Sequence, residues 1–497
     1  MTKPLNFRPI LLCALSLLLG VLLFNYHPTL GEWTVVIPLI LALIIFIIFF
    51  IVVEKDKRFT VAMTVVFCLL FLFIGMTSFS LSVKSIEKSQ VESGSYTVIG
   101  EVKECTYNDG RYTVILDGCS YDGKDGGRLY VNGFTDKIQL YDILEIECYV
   151  YPYQAIGEKE ISKSVKSNRV MCAYEIYEYS ILGKANTLPS KFKQLTDRIF
   201  ESVLGENAGI LSALIRGDVS EMKENVKSFR VVGIAHIFAV SGMHVGLLFT
   251  AISFLLKKVP LSKWLKVITT CSILFLYSYL CGFSASSLRA AIMCSCLVIS
   301  GRLGEKHDRV NALAEAFIII VIFSPVEIFS VGFILSFIAS FSIIILAPPI
   351  KRLFSFLPQA FSDSLGVLIA TQISVLPLSV YYFGGFSFAS FFANFILLPI
   401  VSVIFYLTVI GLTICLILPI NELIALFVPK VLVLGAQGIT NILSLNPIVL
   451  EKFPFAFSTV YYGMLFSLSD LFNFPKKFKI ICAVGIILII LVAKFAL

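Results

Sequence analysis

Charge, histidine and tryptophan are scarce in this chain, and each shortage closes off a class of protein. Only 15% of its 497 residues are Asp, Glu, Lys or Arg and 57% are hydrophobic, against a usual charged share of about 25%. A soluble globular fold is excluded. The four histidines are His27, His236, His244 and His307, and no CxxC or Cys/His cluster has zinc spacing, so neither a metal nor a cofactor is expected. The zincin pattern is missing, as are the phosphate loop of ATP-binding proteins and the dinucleotide fingerprint, so any driving force comes from elsewhere. The apolar runs do not alternate with period two, which rules out a transmembrane β-barrel.

What is there is length without charge. Apolar segments repeatedly reach the roughly 17 to 25 residues a helix needs to cross a bilayer, so the chain reads as a polytopic α-helical membrane protein with about a dozen transmembrane helices. Residues 1–82 hold three spans near 9–25, 33–53 and 59–82, the first retained rather than cleaved because more spans follow at once and no small-residue cleavage pattern is present. Residues 83–184 are a polar insertion, and a second apolar block follows. Its spans fall near 237–256, 264–282, 286–300, 310–324, 328–347, 363–382, 401–419, 424–443, 455–470 and 480–496. Lys3, Arg8 and the Glu54–Arg58 loop place the N-terminus in the cytoplasm and the insertion outside. The basic loops around Lys257, Arg302, Lys351 and Lys476 give the same topology. Ser387 to Pro399, with Asn394 inside it, reads as a re-entrant or half-helix element, with an ordinary kinked span as the alternative.

The insertion has strand patterning at Tyr96–Val102, Arg111–Leu116, Gly127–Val131 and Leu144–Val150, with turn clusters such as Asn108-Asp109-Gly110 between them. Four or five such strands suggest a small extracytoplasmic β-barrel of the OB type. It carries 12 Lys and Arg against 16 Asp and Glu, a net of −4, which leaves +11 on the rest of the chain. An acidic surface argues against a strong grip on phosphates. Cys105, Cys119, Cys148 and Cys172 lie in this exported part, where one or two disulfides or plain buried thiols are both open readings.

Residues 185–232 read as amphipathic interfacial helices. Phe192, Leu195, Ile199 and Val203 recur at helical spacing with Lys191, Lys193, Asp197 and Arg198 between them, and a second short helix ends at Arg216-Gly217-Asp218. A collar leading into residues 233–497 is the simplest account, with substrate contact by Arg216 as the alternative. Gly233 to Gly246 then carries half of the histidines. On one continuous helix His236 and His244 would lie about 80° and roughly 12 Å apart, too far for one metal. Ser241 and His244 sit one turn apart, as a nucleophile and base would, but no acid follows, so packing outweighs a membrane hydrolase. Arg289 suits a cavity wall attracting anions or a snorkelling side chain. Gln372 with Pro377, and Asn394 with Pro399, put polar groups beside helix breaks, as conducting bundles do.

These residues also carry a resemblance. Gly233–Leu248, Ala213–Asp218, Gly282 with Ser286–Met293, Asp308 with Asn311–Ala314, Gly332–Phe337, Ala370–Pro377 and Asn394–Pro399 together resemble the competence domain of the ComEC family of DNA-uptake channels. The resemblance implies a channel through which single-stranded transforming DNA crosses the cytoplasmic membrane, with His236, Ser241, His244, Arg289, Gln372, Asn394 and Arg216 as channel candidates. It implies partners besides DNA and the lipid bilayer: a DNA receptor outside, and a motor or single-strand-binding proteins inside. Many members add a metallo-β-lactamase-like nuclease domain with a His-rich motif. Four histidines cannot supply it, so no nuclease activity is expected here and a separate nuclease would act. A transporter or channel for another solute is the other reading.

Overall fold

The computed structural model describes residues 9–26, 57–108, 110–152, 170–220, 222, 225–238, 240–304, 308–418, 421–444, 449–450, 453, 457–470 and 474–495. The expected span 33–53, the Glu54–Asp56 part of the first basic loop, His27 and His307 lie outside them. In the polar insertion, alternating burial such as that of Asp142–Tyr151 wraps a sheet around one apolar core. Strands β1 (Gly94–Asn108), β2 (Arg111–Tyr121), β3 (Leu129–Phe134), β4 (Asp142–Tyr151) and β5 (Met171–Lys184) form it. Their order is β1-β2-β3-β5-β4 and back to β1, with only β3 and β5 parallel, a five-stranded closed barrel consistent with the OB fold. Two register shifts let the 15-residue β1 bend, so that its first half pairs with β4 and its second with β2.

The cysteines depart from the cross-linked reading. All twelve are free, and Cys105, Cys119 and Cys148 stand inside the barrel core while Cys172 packs in a small cluster with Val170, Ile115 and Tyr130. Burial pushes the thiols of Cys105, Cys119 and Cys148 up to about 12, so they behave as small apolar fillers.

The helices are α1 (Pro9–Tyr26) and α2 (Lys57–Lys88) before the barrel, then α3 (Leu188–Leu204), α4 (Ala208–Arg216) and α5 (Asn225–Val232), which form the collar. The second block holds α6 (Gly242–Lys258), α7 (Lys263–Leu280), α8 (Ala285–Leu303), α9 (Arg309–Phe323), α10 (Val331–Leu353), α11 (Gln359–Phe383), α12 (Ala389–Ile417), α13 (Phe427–Leu443), α14 (Ser458–Ser467) and α15 (Lys476–Phe495). Among the described residues five helices are long and apolar enough to cross a membrane: most of α2, and α8, α10, α11 and α12. Other expected spans correspond to shorter helices, such as α6 with 17 residues and α14 with 10. Small residues let backbones meet, since a Cβ added at Gly20 of α1 would stand 2.1 Å from the Leu72 carbonyl oxygen of α2.

Two details of the helix reading are corrected. The half-helix expected at Ser387–Pro399 is instead a two-residue strand, Phe386–Ser387, followed by one unbroken 29-residue helix through Pro399. A proline removes a single donor, which a long helix tolerates when neighbours cover the backbone. In α3 the buried face is Lys193, Thr196, Ile199, Phe200 and Val203, whereas Leu195 is exposed. The apolar spacing pointed elsewhere because Lys193 has buried carboxylates to meet.

Candidate functional site

The segment with two histidines is a break between helices. Gly233 ends α5 with φ +81, a conformation only glycine takes freely, and a Cβ there would stand 2.9 Å from that of Ser390. One 3-10 turn over Ala235–Ile237 follows, and Ser241 caps α6. No single helix carries His236 and His244, so the helical spacing between them does not apply. Ser241 Oγ accepts from the Met243 N–H at 3.3 Å, and His244 Nδ1 accepts from the Ser241 N–H at 3.1 Å. This is a capping box with histidine in the place of Glu or Gln. With Nδ1 accepting, the neutral ring carries its proton on Nε2, which is buried and without a partner among the described residues. Ser241 Oγ lies 3.2 Å from the same Nδ1, but the cap engages both groups and nothing orients the ring from Nε2.

Two helices wall this break. From α12 come Ser390, Asn394 and Phe405, and the Phe405 ring centre is 5.3 Å from that of His244. Ser390 donates to Gln372 Oε1 of α11 at 3.3 Å, while Asn394 Oδ1 and Ser387 Oγ are buried with no partner among the described residues. From α8 comes Arg289, whose Nη1 donates to the Ser336 carbonyl and to Ser340 Oγ of α10. The side chain is only 6% exposed, so it does not snorkel. A Cβ at Gly242 would stand 2.7 Å from Arg289 Nη2, which places the guanidinium over the first turn of α6. His244 and Arg289 are thus buried beside the cap at Ser241, Gln372 is buried and reaches the Gly233 end of the break through Ser390, and Asn394 is buried one turn further along α12, whereas His236 is exposed.

Arg216 stands apart, in a charge cluster of the collar. Lys193 Nζ lies 2.7 Å from Asp197 Oδ2 and 3.1 Å from Asp218 Oδ2, and Arg216 pairs with both carboxylates. Arg216 Nη1 also donates to the Lys193 carbonyl at 2.8 Å and to Thr196 Oγ1, and Ser220 donates to Asp218 Oδ1 through both its N–H and its hydroxyl. Two cations meet two anions in a knot that ties the collar together. The turn after it still reaches the break: Gly217, at φ +77, would carry a Cβ 3.0 Å from Val240. Tyr277 of α7 donates to the Ile215 carbonyl at 3.0 Å and fixes the turn from the other side.

Sequence reasoning gave Lys193 and Asp197 as the polar face of an amphipathic helix and Asp218 as part of a turn, and did not single out Ser340 or Ser390. Spacing held a signal for some of them. Lys193 and Asp197 are four apart, and Ser387, Ser390 and Asn394 recur at three and four. Ser336 and Ser340 of α10 are also four apart, but that spacing does not reveal Arg289 as their partner, because it comes from a helix packed across. Among the described residues no group of three or more His, Cys, Asp or Glu is placed to hold a metal ion.

Long apolar helices with a polar break among them and a small β-barrel between α2 and α3 define a helical membrane protein. Residues 214–472, just over half of the chain, match the family described as Competence protein, and the chain belongs to that family. It is 32% identical over 200 residues, 39% of its length, to ComE operon protein 3 of Bacillus subtilis (strain 168). It is also 26% identical over 147 residues, 27% of its length, to Competence protein ComA of Neisseria gonorrhoeae. These matches span 25% and 20% of the two relatives. No solved structure matches the chain.

Proposed function

We propose that the chain conducts single-stranded DNA across the cytoplasmic membrane during natural transformation. One observation carries this reading: Ser241, His244, Arg289 and Ser390, the last with Gln372, meet along one broken segment inside an apolar bundle, in a member of the Competence protein family. Polar groups at membrane depth are expensive and are kept where a path or partner needs them. A phosphodiester strand needs polar and cationic groups along its way, and the +11 balance outside the barrel region suits it. The strand passes the break, with His236 exposed at its entry. About a dozen spans, a cytoplasmic N-terminus and residues 83–184 outside complete the arrangement. A receptor outside, a separate nuclease and a motor or single-strand-binding protein inside serve the same strand.

The test is uptake of labelled DNA into the cytoplasm by a strain deleted for the gene, complemented with wild type, His244→Ala or Asn394→Ala, with membrane abundance measured alongside. The deletion is expected to abolish uptake and the variants to lower it at normal abundance. Uptake at the normal rate in the deletion strain overturns the reading and points to another solute.

A further inference from the structure

Among the described residues two arginines, Arg216 and Arg289, are buried, and they are treated in opposite ways. Arg216 has two carboxylates, Asp197 and Asp218, within ion-pair distance. Arg289, at 6% exposure, has none among the described residues. Its Nη1 is held by a carbonyl and a hydroxyl of α10, its Nε is buried without a partner, and Nη2 lies over Gly242. The Phe337 ring, 5.8 Å from the guanidinium carbon, is its one further cation-binding neighbour. That position adds a second positive field. The 17-residue α6 points the positive end of its helix dipole there; Ser241 takes up its Met243, His244 and Val245 N–H groups, and no acidic residue stands in its first turn. A guanidinium taken out of water and set beside the positive end of a helix is repelled by it, and an anion placed between them would relieve that cost.

We propose that Arg289 and the first turn of α6 form an oxyanion site that takes one phosphate group at a time. The argument rests on the DNA-conducting reading for the source of that phosphate: a phosphodiester of the passing strand. Gly242 belongs to the site because any side chain there would strike the guanidinium and close the space in front of it. Arg289 Nη1, tied to Ser336 and Ser340, anchors the side chain to α10, and the free Nε and Nη2 are the donors offered to the phosphate. A fork of this kind matches two phosphate oxygens at once, which lysine cannot do.

The test uses the full chain in nanodiscs, with a fluorescent single-stranded oligonucleotide as one probe and inorganic phosphate as another. Wild type is expected to bind the oligonucleotide about tenfold more tightly than Arg289→Gln, the worth of one charge-assisted contact. The slope of log affinity against log salt should flatten by roughly 0.7 in Arg289→Gln, the share of one phosphate on a single strand. Arg289→Lys should keep that slope and lose part of the affinity. Phosphate should raise the melting temperature of wild type and leave that of Arg289→Gln unmoved. If Arg289→Gln melts lower than wild type yet binds with unchanged affinity and slope, Arg289 is a packing residue and the site is overturned. Should phosphate stabilise wild type alone while the oligonucleotide fails to bind wild type at all, the oxyanion site stands and the DNA reading falls. Stabilisation that follows phosphatidylglycerol content and vanishes in Arg289→Gln would assign the phosphate to a lipid headgroup and overturn the strand as its source.

Discussion

Asp218 is 2% exposed, and burial alone would drive its carboxyl to take up a proton. Lys193, Arg216 and the Ser220 hydroxyl outweigh that burial and hold it below the usual carboxylate range. A folded value below the unfolded one means its share of stability is fully present above about pH 4 and is lost as pH falls through the folded value. Melting temperature in detergent should therefore drop as pH falls below about 4 in wild type, and less steeply in Asp218→Asn. At neutral pH the same substitution leaves two buried cations facing one anion and should cost about 3 to 5 kcal/mol. Gly217 offers a sharper probe of the turn that joins collar to break. Gly217→Ala forces a Cβ into the left-handed region and against Val240, and should cost about 1 kcal/mol or more by thermal melting.

At the scale of elements, a proline and a tyrosine form a matched pair. Pro377 cannot donate to the carbonyl of Ile373, four residues back in α11, and the Tyr461 hydroxyl of α14 donates to that oxygen at 2.6 Å. Tyr461→Phe should lower stability by about 1 kcal/mol, and Pro377→Ala in that background should restore most of it, read by melting of the double-mutant cycle. The barrel gives a chemical test. With thiols at about 12 and buried, Cys105, Cys119 and Cys148 should resist maleimide in the folded protein, label fully in urea, and run identically with and without reductant. Much of the barrel was legible because period-two burial is written in each strand. Its β5 was not singled out, since three register shifts against β4, at positions 182, 177 and 174, break the alternation there. The continuity of α12 was hidden by Pro399, whose cost depends on what packs around it.

For the whole molecule, the basic loops predict that residues 94–184 lie outside the cell and the α6–α7 and α10–α11 loops inside. Reporter fusions after Asp136 and after Val259 should divide accordingly, and both on one side would refute that topology. The polar residues of the site were legible as types, because His, Arg, Gln and Asn stand out in an apolar chain. Their grouping was not, since Arg289 meets Gly242 and Ser390 meets Gln372 only through helices packed across the bundle.

The knot of Lys193, Asp197, Arg216 and Asp218 has a further meaning for how such a chain is made. All four charges fall between residues 193 and 218, so they neutralise one another before α6 has been synthesised. A knot whose two cations and two anions cancel within one short stretch can settle at the bilayer surface without a partner from any later helix. The helices that follow then assemble against a finished platform, and the order of the chain becomes the order of its construction.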